Sequence, residues 1–390
     1  MPDKETTSVL HRFVRRHRLA ILGVVGLLCI FVAWYLRANS DEKLLTAASA
    51  ALSQNDPLKA DKLVTQYLLN HPDSSRALVI ASRSAWSLGR KEHAFVCLEQ
   101  VKDDGSPSFI EAQRLIVEFA LQLGAPTLAE QSLRLILRHD PSDYEANDKL
   151  ITVLRFSGRN WEVLPYVRQL IRTGHSKAEY LLPAGSTETM WIFPADMPLV
   201  ERSVAANDLQ VLTGVAREQI AENHYTIAKQ ILQTIVREDP EQPEAQAWLG
   251  LTLLQLGSQP ALRQWHSNLP KSADAHPEIW YVRGLWAKQE QDPSAAARCF
   301  WETLQRYPHH MGANYQLSQA LVSLHRESEA APFVQHASRL ADLKYLVGAI
   351  QNDPDKMQPV AELMETLGRH WEAIGWCQVA LSDDRVDSQW

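Results

Sequence analysis

The stretch EIWYVRGLWAKQEQDPSAAARCFWETLQRYP, Glu278–Pro308, decides how this chain folds. It crowds Trp280, Tyr281, Trp286, Phe300 and Trp301 around Cys299, with His309 and His310 just beyond. Such a cluster is either a ligand site or packing, and spacing separates the two. Trp280, Arg283, Gly284 and Ala287 fall at i, i+3, i+4 and i+7, one face of a helix over about Glu278–Glu290. Ala296, Phe300 and Thr303 form an answering face over about Ser294–Arg306. Gly284 and Ala296 are small, so the two backbones can approach closely. Pro277 suits a first helical turn and Pro308 suits a stop. The expectation is an antiparallel helix pair in which Trp280 and Phe300 are packing and Cys299 is an inert thiol. Trp286 then meets a neighbouring pair, Trp301 faces outward, and Tyr281 alone among the five aromatics faces a groove.

The pattern recurs along the chain. SLGRKEHAFVCLEQV (Ser87–Val101) aligns with QLGAPTLAEQSLRLI (Gln122–Ile136), matching Gly89 to Gly124, Ala94 to Ala129 and Leu98 to Leu133. Gly158, Gly257 and Gly368 continue the glycine series. Pro72, Pro141, Pro240 and Pro308 close units, and Ala60, Ala94, Ala129, Ala228, Ala296, Ala330 and Ala373 mark second helices. The period is about 34 residues, the signature of a repeat array.

The composition is that of a globular chain: 390 residues, 45% hydrophobic and 22% charged. The formal charge of −7 is uneven. Residues 1–37 carry Lys4, Arg12, Arg15, Arg16, Arg18 and Arg37 against Asp3 and Glu5, so the remainder is strongly acidic. An acidic body argues against nucleic-acid binding, which needs a basic footprint. Cys29, Cys97, Cys299 and Cys377 are far apart and form no disulfide framework. LAILGVVGLLCIFVAWYL (Leu19–Leu36) is free of charge and long enough to span a bilayer. HRFVRRHR precedes it, which holds the N-terminus in the cytoplasm and exports the body. Trp34 and Tyr35 suit an interfacial anchor. A cleaved signal peptide and the reverse orientation are the competing readings.

The 34-residue pattern resembles the tetratricopeptide repeat. Trp280, Gly284, Ala296, Phe300 and Pro308 stand at its positions 4, 8, 20, 24 and 32, and Leu249, Gly250 and Gly257 at 7, 8 and 15 of the preceding unit. Arg283, Gln291 and Thr303 depart from the pattern. The units run 41–74, 75–108, 110–143, 144–177, 209–242, 243–276, 277–310, 311–344 and 354–387. The expected fold is all-α: a right-handed superhelical solenoid of antiparallel helix pairs after one transmembrane helix. The expected organisation is a basic cytoplasmic arm (1–18), a transmembrane helix (19–36) and a first repeat block (41–177). An irregular linker or degenerate repeat (178–208), a second block (209–344), a spacer (345–353) and a C-terminal repeat or polar cap (354–387) follow. The cap would present Glu362, Glu365, Arg369 and His370, and Met190–Phe193 could form a docking segment.

The resemblance implies a concave groove lined by first helices at positions 2, 5, 9, 12 and 13. The candidate contacts are Arg76, Arg83, Trp86, Arg114, Glu118, Arg155, Phe156, Tyr281, Lys288, Tyr315 and Gln319. The chain shows no Walker loop, GxGxxG, HExxH or GxSxG. Glu241 and Glu244 read as solvated carboxylates. His93 with Cys97 is too small a set for a metal, and His276, His309 and His310 read as solvated turn histidines. No cofactor, no metal and no catalysis is expected. The implied function is a membrane-anchored bacterial scaffold holding another protein or peptide. A glycan-binding role for Trp86, Tyr281 and Tyr315, and an enzyme site built on 178–208, are the alternatives.

Overall fold

The computed structural model describes residues 41–185 and 197–382, and all regular structure in them is helical. The predicted arm and span at 1–36 and the Met190–Phe193 segment lie outside the described residues. Among the described residues no helix is long and apolar enough to cross a membrane. Helix α1 covers 41–53, followed by α2 (Pro57–Leu68), α3 (Ser75–Ser87), α4 (Lys91–Glu99), α5 (Pro107–Gln122) and α6 (Pro126–His139). Next come α7 (Tyr144–Phe156), α8 (Leu164–Arg172), α9 (Ala178–Gly185), α10 (Met197–Ala205), α11 (Leu209–Ala221) and α12 (Tyr225–Glu238). The chain continues with α13 (Pro243–Gln255), α14 (Gln259–Ser267), α15 (Pro277–Gln289), α16 (Pro293–Arg306), α17 (Met311–Ser323), α18 (Glu327–Ala349), α19 (Met357–Thr366) and α20 (His370–Ser382). Two compact units divide the chain, Met1–Leu115 and Ile116–Trp390, with the division inside α5.

One backbone device makes the pairs. At position 15 of every expected unit sits a residue with positive φ: Asn55, Gly89, Gly124, Gly158, Asn223, Gly257, Gln291, His325 and Gly368. The following N–H then reaches back to the third-last helical carbonyl. Arg90 N donates to Ala85 O (2.9 Å), Asp292 N to Ala287 O (3.0 Å) and Arg369 N to Met364 O (2.8 Å), and the other six turns do the same. This is the Schellman closure, which satisfies carbonyls left open at a helix end and turns the chain at once. Gln291, which departs from the glycine of the pattern, still adopts the left-handed conformation at φ 61°.

Reversal in so few residues brings the paired helices into close contact. A Cβ on Gly284 would meet the Phe300 ring at 2.5 Å, and one on Gly250 would meet Trp265 at 2.3 Å. Small residues on first helices thus receive aromatic rings from second helices. In the first unit, Leu45, Ala48, Val64, Ala77, Ile80, Ala81 and Cys97 form one core across α1–α4. Trp280 departs from its expected interior place. It is half-buried on a flank, stacked between the guanidinium groups of Arg283 (4.6 Å) and Arg306 (5.0 Å).

Within the second unit, the described parts of 178–208 form α9 and α10. A Cβ on Gly124 would strike the Arg202 carbonyl at 2.5 Å, so α10 packs directly on the α5–α6 turn. Asp208 caps α11 through Gln210 N and Val211 N while also accepting from Thr127 N and Oγ1. The α7–α8 turn is pinned by a cluster of four charges. Arg159 donates to Glu130 (2.7 Å) and Glu162 (2.6 and 2.7 Å), and Arg134 donates to the same two carboxylates.

The C-terminal pair is not a free polar cap, and α18 runs on into the expected spacer as far as Ala349. Glu362, Glu365 and His370 are exposed, but Arg369 is buried and donates to the Ala184 carbonyl (2.6 Å). Glu372, also fully buried, pairs with Arg168 (2.9 Å) and Arg369 (3.7 Å). A Cβ on Gly375 would crowd Ile171 and Leu181 (2.9 and 3.0 Å). Helices α8 and α9 therefore dock on α19 and α20, because small residues and a buried acid on the last pair match apolar side chains and cations on the earlier helices.

Replacing Gln291 with Gly removes left-handed strain from a non-glycine residue and should stabilise the protein by about 0.5–1 kcal/mol in urea unfolding, part of the relief being offset by the freer unfolded chain. Glu372→Ala strips buried Arg369 of its counter-charge and should destabilise the second unit by roughly 3–5 kcal/mol in the same assay.

Candidate functional site

Position 2 of one unit meets position 34 of the same unit, and in the second unit this builds a ladder. Glu244 opens α13, and His276 ends that unit and caps α15. His276 Nδ1 accepts from Glu278 N (3.2 Å) and Nε2 donates to Glu244 Oε2 (2.5 Å). One repeat on, His310 Nδ1 accepts from Ala313 N (2.9 Å) and Nε2 donates to Glu278 Oε1 (3.1 Å). His276, His310 and Glu244 are almost fully buried, so the expectation of solvated histidines and a solvated Glu244 is overturned. The cause is the inter-repeat stack. A histidine that caps one helix is covered by the start of the helix before it and must find an acceptor there. Glu241 is exposed, as expected.

Glu244 is also held by Trp248 Nε1 (2.6 Å) and by the Arg217 guanidinium (3.8 Å), which lies 4.3 Å over the Trp248 ring. Burial opposes ionisation of Glu244, but His276, Arg217 and Trp248 outweigh it and hold its pKa at about 2. Burial also disfavours a charged His276, yet Glu244 outweighs that and raises its pKa. The capping bond opposes this rise, since only a neutral imidazole offers Nδ1 as an acceptor. Burial likewise works against Glu278, and His310 overcomes it to lower the pKa.

These groups surround a cavity of about 330 Å³. Trp161, Trp248, Tyr281 and Tyr307 form its aromatic walls, and Arg217, Glu244, Glu278 and His310 its polar lining. Trp161 comes from the α7–α8 turn, so the chain's own 158–163 segment lies against the first helices of the later repeats. Tyr281 is not a free groove side chain: its ring stacks 4.5 Å from His310 and packs on Phe300.

The other groove candidates are placed as follows. Exposed Arg76 pairs with Glu42 and exposed Arg83 with Glu111, each at 2.8 Å, within the first unit. Trp86 meets Phe95 edge-on, with Lys91 over its ring. Arg114 is half-buried; Glu118 is exposed and accepts from Gln122. Arg155 and Phe156 are buried and therefore not open to a ligand. Arg155 donates to Glu179 O (3.3 Å), and Phe156 packs with Leu199, Val200 and Val211. The residues that cover them lie in α9–α11, and α9 and α10 belong to the 178–208 segment, which no repeat pattern in the sequence specified. Lys288 and Gln319, from successive first helices, line one open cavity of about 290 Å³, and exposed Tyr315 stands one turn before Gln319. Sequence reading missed Trp161, Arg217, Trp248 and the Glu–His pairs. The signal available was Glu at 244 and 278 with His at 276 and 310, a shared spacing of 34 residues.

His93 Nε2 and Cys97 Sγ lie 3.8 Å apart, and His309 stacks on His336, burial pushing the His309 pKa down to about 3. Among the described residues no three His, Cys, Asp or Glu side chains converge as a metal site. Cys97, Cys299 and Cys377 are free thiols, and burial raises the pKa of each.

The sequence model of the tetratricopeptide repeat matches residues 45–95 and 216–265, so tetratricopeptide repeats are present in both units. Among solved structures, the chain is similar to the MamA protein at 16% identity, over 45% of this chain and 90% of that one, with a TM-score of 0.29. It is also similar to a tetratricopeptide repeat protein from Parabacteroides merdae at 12% identity, over 73% and 99%, with a TM-score of 0.30. A third likeness is to the APC/C hetero-tetramer Cut9–Hcn1, at 16% identity over 90% and 74%, with a TM-score of 0.35. No curated protein sequence matches the chain.

The stability supplied by His276 is fully present below its unfolded pKa of about 6.5 and is lost as pH rises through the raised folded value. That supplied by Glu244 is present above about 4.5 and is lost as pH falls toward about 2. The urea midpoint of the native protein relative to His276→Asn, which keeps a capping oxygen, should decline as pH rises above about 6.5. A pH-independent difference would refute the pairing.

Proposed function

We propose that this protein is a non-catalytic scaffold, anchored in a bacterial inner membrane by residues 19–36, whose first-helix faces hold a segment of another protein. One observation carries this reading. Lys288 and Gln319, from successive repeats, are open to solvent on one cavity wall, instead of being sealed in the core. Arg76 and Arg83 offer further exposed guanidinium groups on first helices, the residue type favoured at binding hot spots. The basic arm before the apolar run supports a cytoplasmic N-terminus and an exported body. The structure gives the sugar-binding alternative less support, because Tyr281 is packed against His310 and Trp86 against Phe95 and Lys91.

Photo-crosslinkers placed at Lys288 and Gln319 in cells should trap a common partner, identified by mass spectrometry. A crosslinker at Trp301, exposed on α16, should not trap it. Equal capture from both faces would overturn the reading. A reporter fused after Trp390 should be active only in its extracytoplasmic form; cytoplasmic activity would reverse the topology.

A further inference from the structure

The cavity beside the Glu–His ladder is a built site, and its chemistry specifies an occupant. Its walls are four aromatic side chains, Trp161, Trp248, Tyr281 and Tyr307. Its two carboxylates are used unequally. Glu244 is saturated by His276, Trp248 and Arg217. Glu278 also lines the cavity, receives His310 on one oxygen, and keeps about a fifth of its side chain accessible (20%). Both histidines accept capping bonds through Nδ1, the geometry of neutral imidazoles. With neutral histidines, the cavity lining holds one guanidinium, Arg217, and two carboxylates, Glu244 and Glu278, which leaves one net negative charge among aromatic faces. Aromatic faces and a carboxylate together favour an organic cation. A buried indole N–H on Trp161, a cavity-lining residue, has no acceptor among the described residues. A cavity of about 330 Å³ has room for one long side chain and part of its backbone, near the small end of ligand pockets.

We propose that this cavity receives a lysine or arginine side chain of a partner peptide. Its cationic head lies between the aromatic walls and Glu278, and a peptide carbonyl accepts from Trp161 Nε1. The inference rests on the scaffold reading and names the chemistry of the segment bound. It also gives the inward-turned α7–α8 loop a role, since Trp161 supplies one wall.

The test uses the full chain in detergent at alkaline pH, which favours neutral imidazoles. The probes are acetyl-Gly-Xaa-Gly amides in which Xaa is lysine, arginine or the uncharged norleucine. Binding is read from the indole N–H resonances of Trp161 and Trp248, assigned with Trp161→Phe and Trp248→Phe. Lysine or arginine peptides should shift both signals, and norleucine should bind at least tenfold more weakly. Glu278→Gln, which can still accept from His310, should lose that preference; its thermal unfolding curve separates lost binding from lost fold. Equal shifts with norleucine, shifts with no peptide, or an unchanged preference in a folded Glu278→Gln would each overturn the proposal. Should crosslinking at Lys288 and Gln319 still trap a partner, the scaffold reading survives the loss of this pocket.

Discussion

The rest of the structure depends on a single left-handed residue in each helix pair. It ends the first helix, closes open carbonyls by a Schellman bond and starts the second helix within two residues. The two apolar stripes then face each other at once, and neither could be buried by its own helix alone. Close reversal also explains why Gly250 and Gly284 stand opposite Trp265 and Phe300: a side chain at either glycine would occupy the space of the ring. Where asparagine, glutamine or histidine replaces glycine in the turn, the conformation persists, so packing of the pair sustains it against local strain.

Stacking of pairs creates a second constraint. At α15 and α17 the N-cap is covered by the preceding unit, so its side chain must satisfy two neighbours. Histidine does this at 276 and 310 with its two ring nitrogens, one accepting from the helix and one donating to a carboxylate. The result is a line of buried, mutually dependent polar groups along the repeats. A polar network of this kind is favourable only when every member is satisfied, which ties the repeats to one register.

The second unit departs from a simple array between α7 and α11. The chain leaves the repeat path, docks α8 and α9 on the last helix pair, and returns through α10 to stack α11 beside α6 and α7. This excursion buries Arg155 and Phe156 and places Trp161 against the later repeats. The aromatic-walled cavity exists because of it.

The helix pairs, their period and the turn positions were legible in the sequence, because they follow from spacing within about 34 residues. Gly89, Gly124, Gly158, Gly257 and Gly368 marked turns that the backbone adopts, and Gly284 marked a close approach that Phe300 fills. The solvent exposure of Lys288 and Gln319 also follows from that register. The burial of Arg155, Phe156, Arg369 and Glu372 does not, since Glu179, Val200 and Ala184 lie in a segment with no repeat pattern and Arg168 reaches Glu372 from a distant unit. Nor did His276 announce its burial, for a histidine in a turn looks solvated until the preceding helix is laid over it. Local spacing determined the elements. Only the tertiary structure decided which of their polar side chains lost water, because burial depends on contacts between residues far apart in the chain.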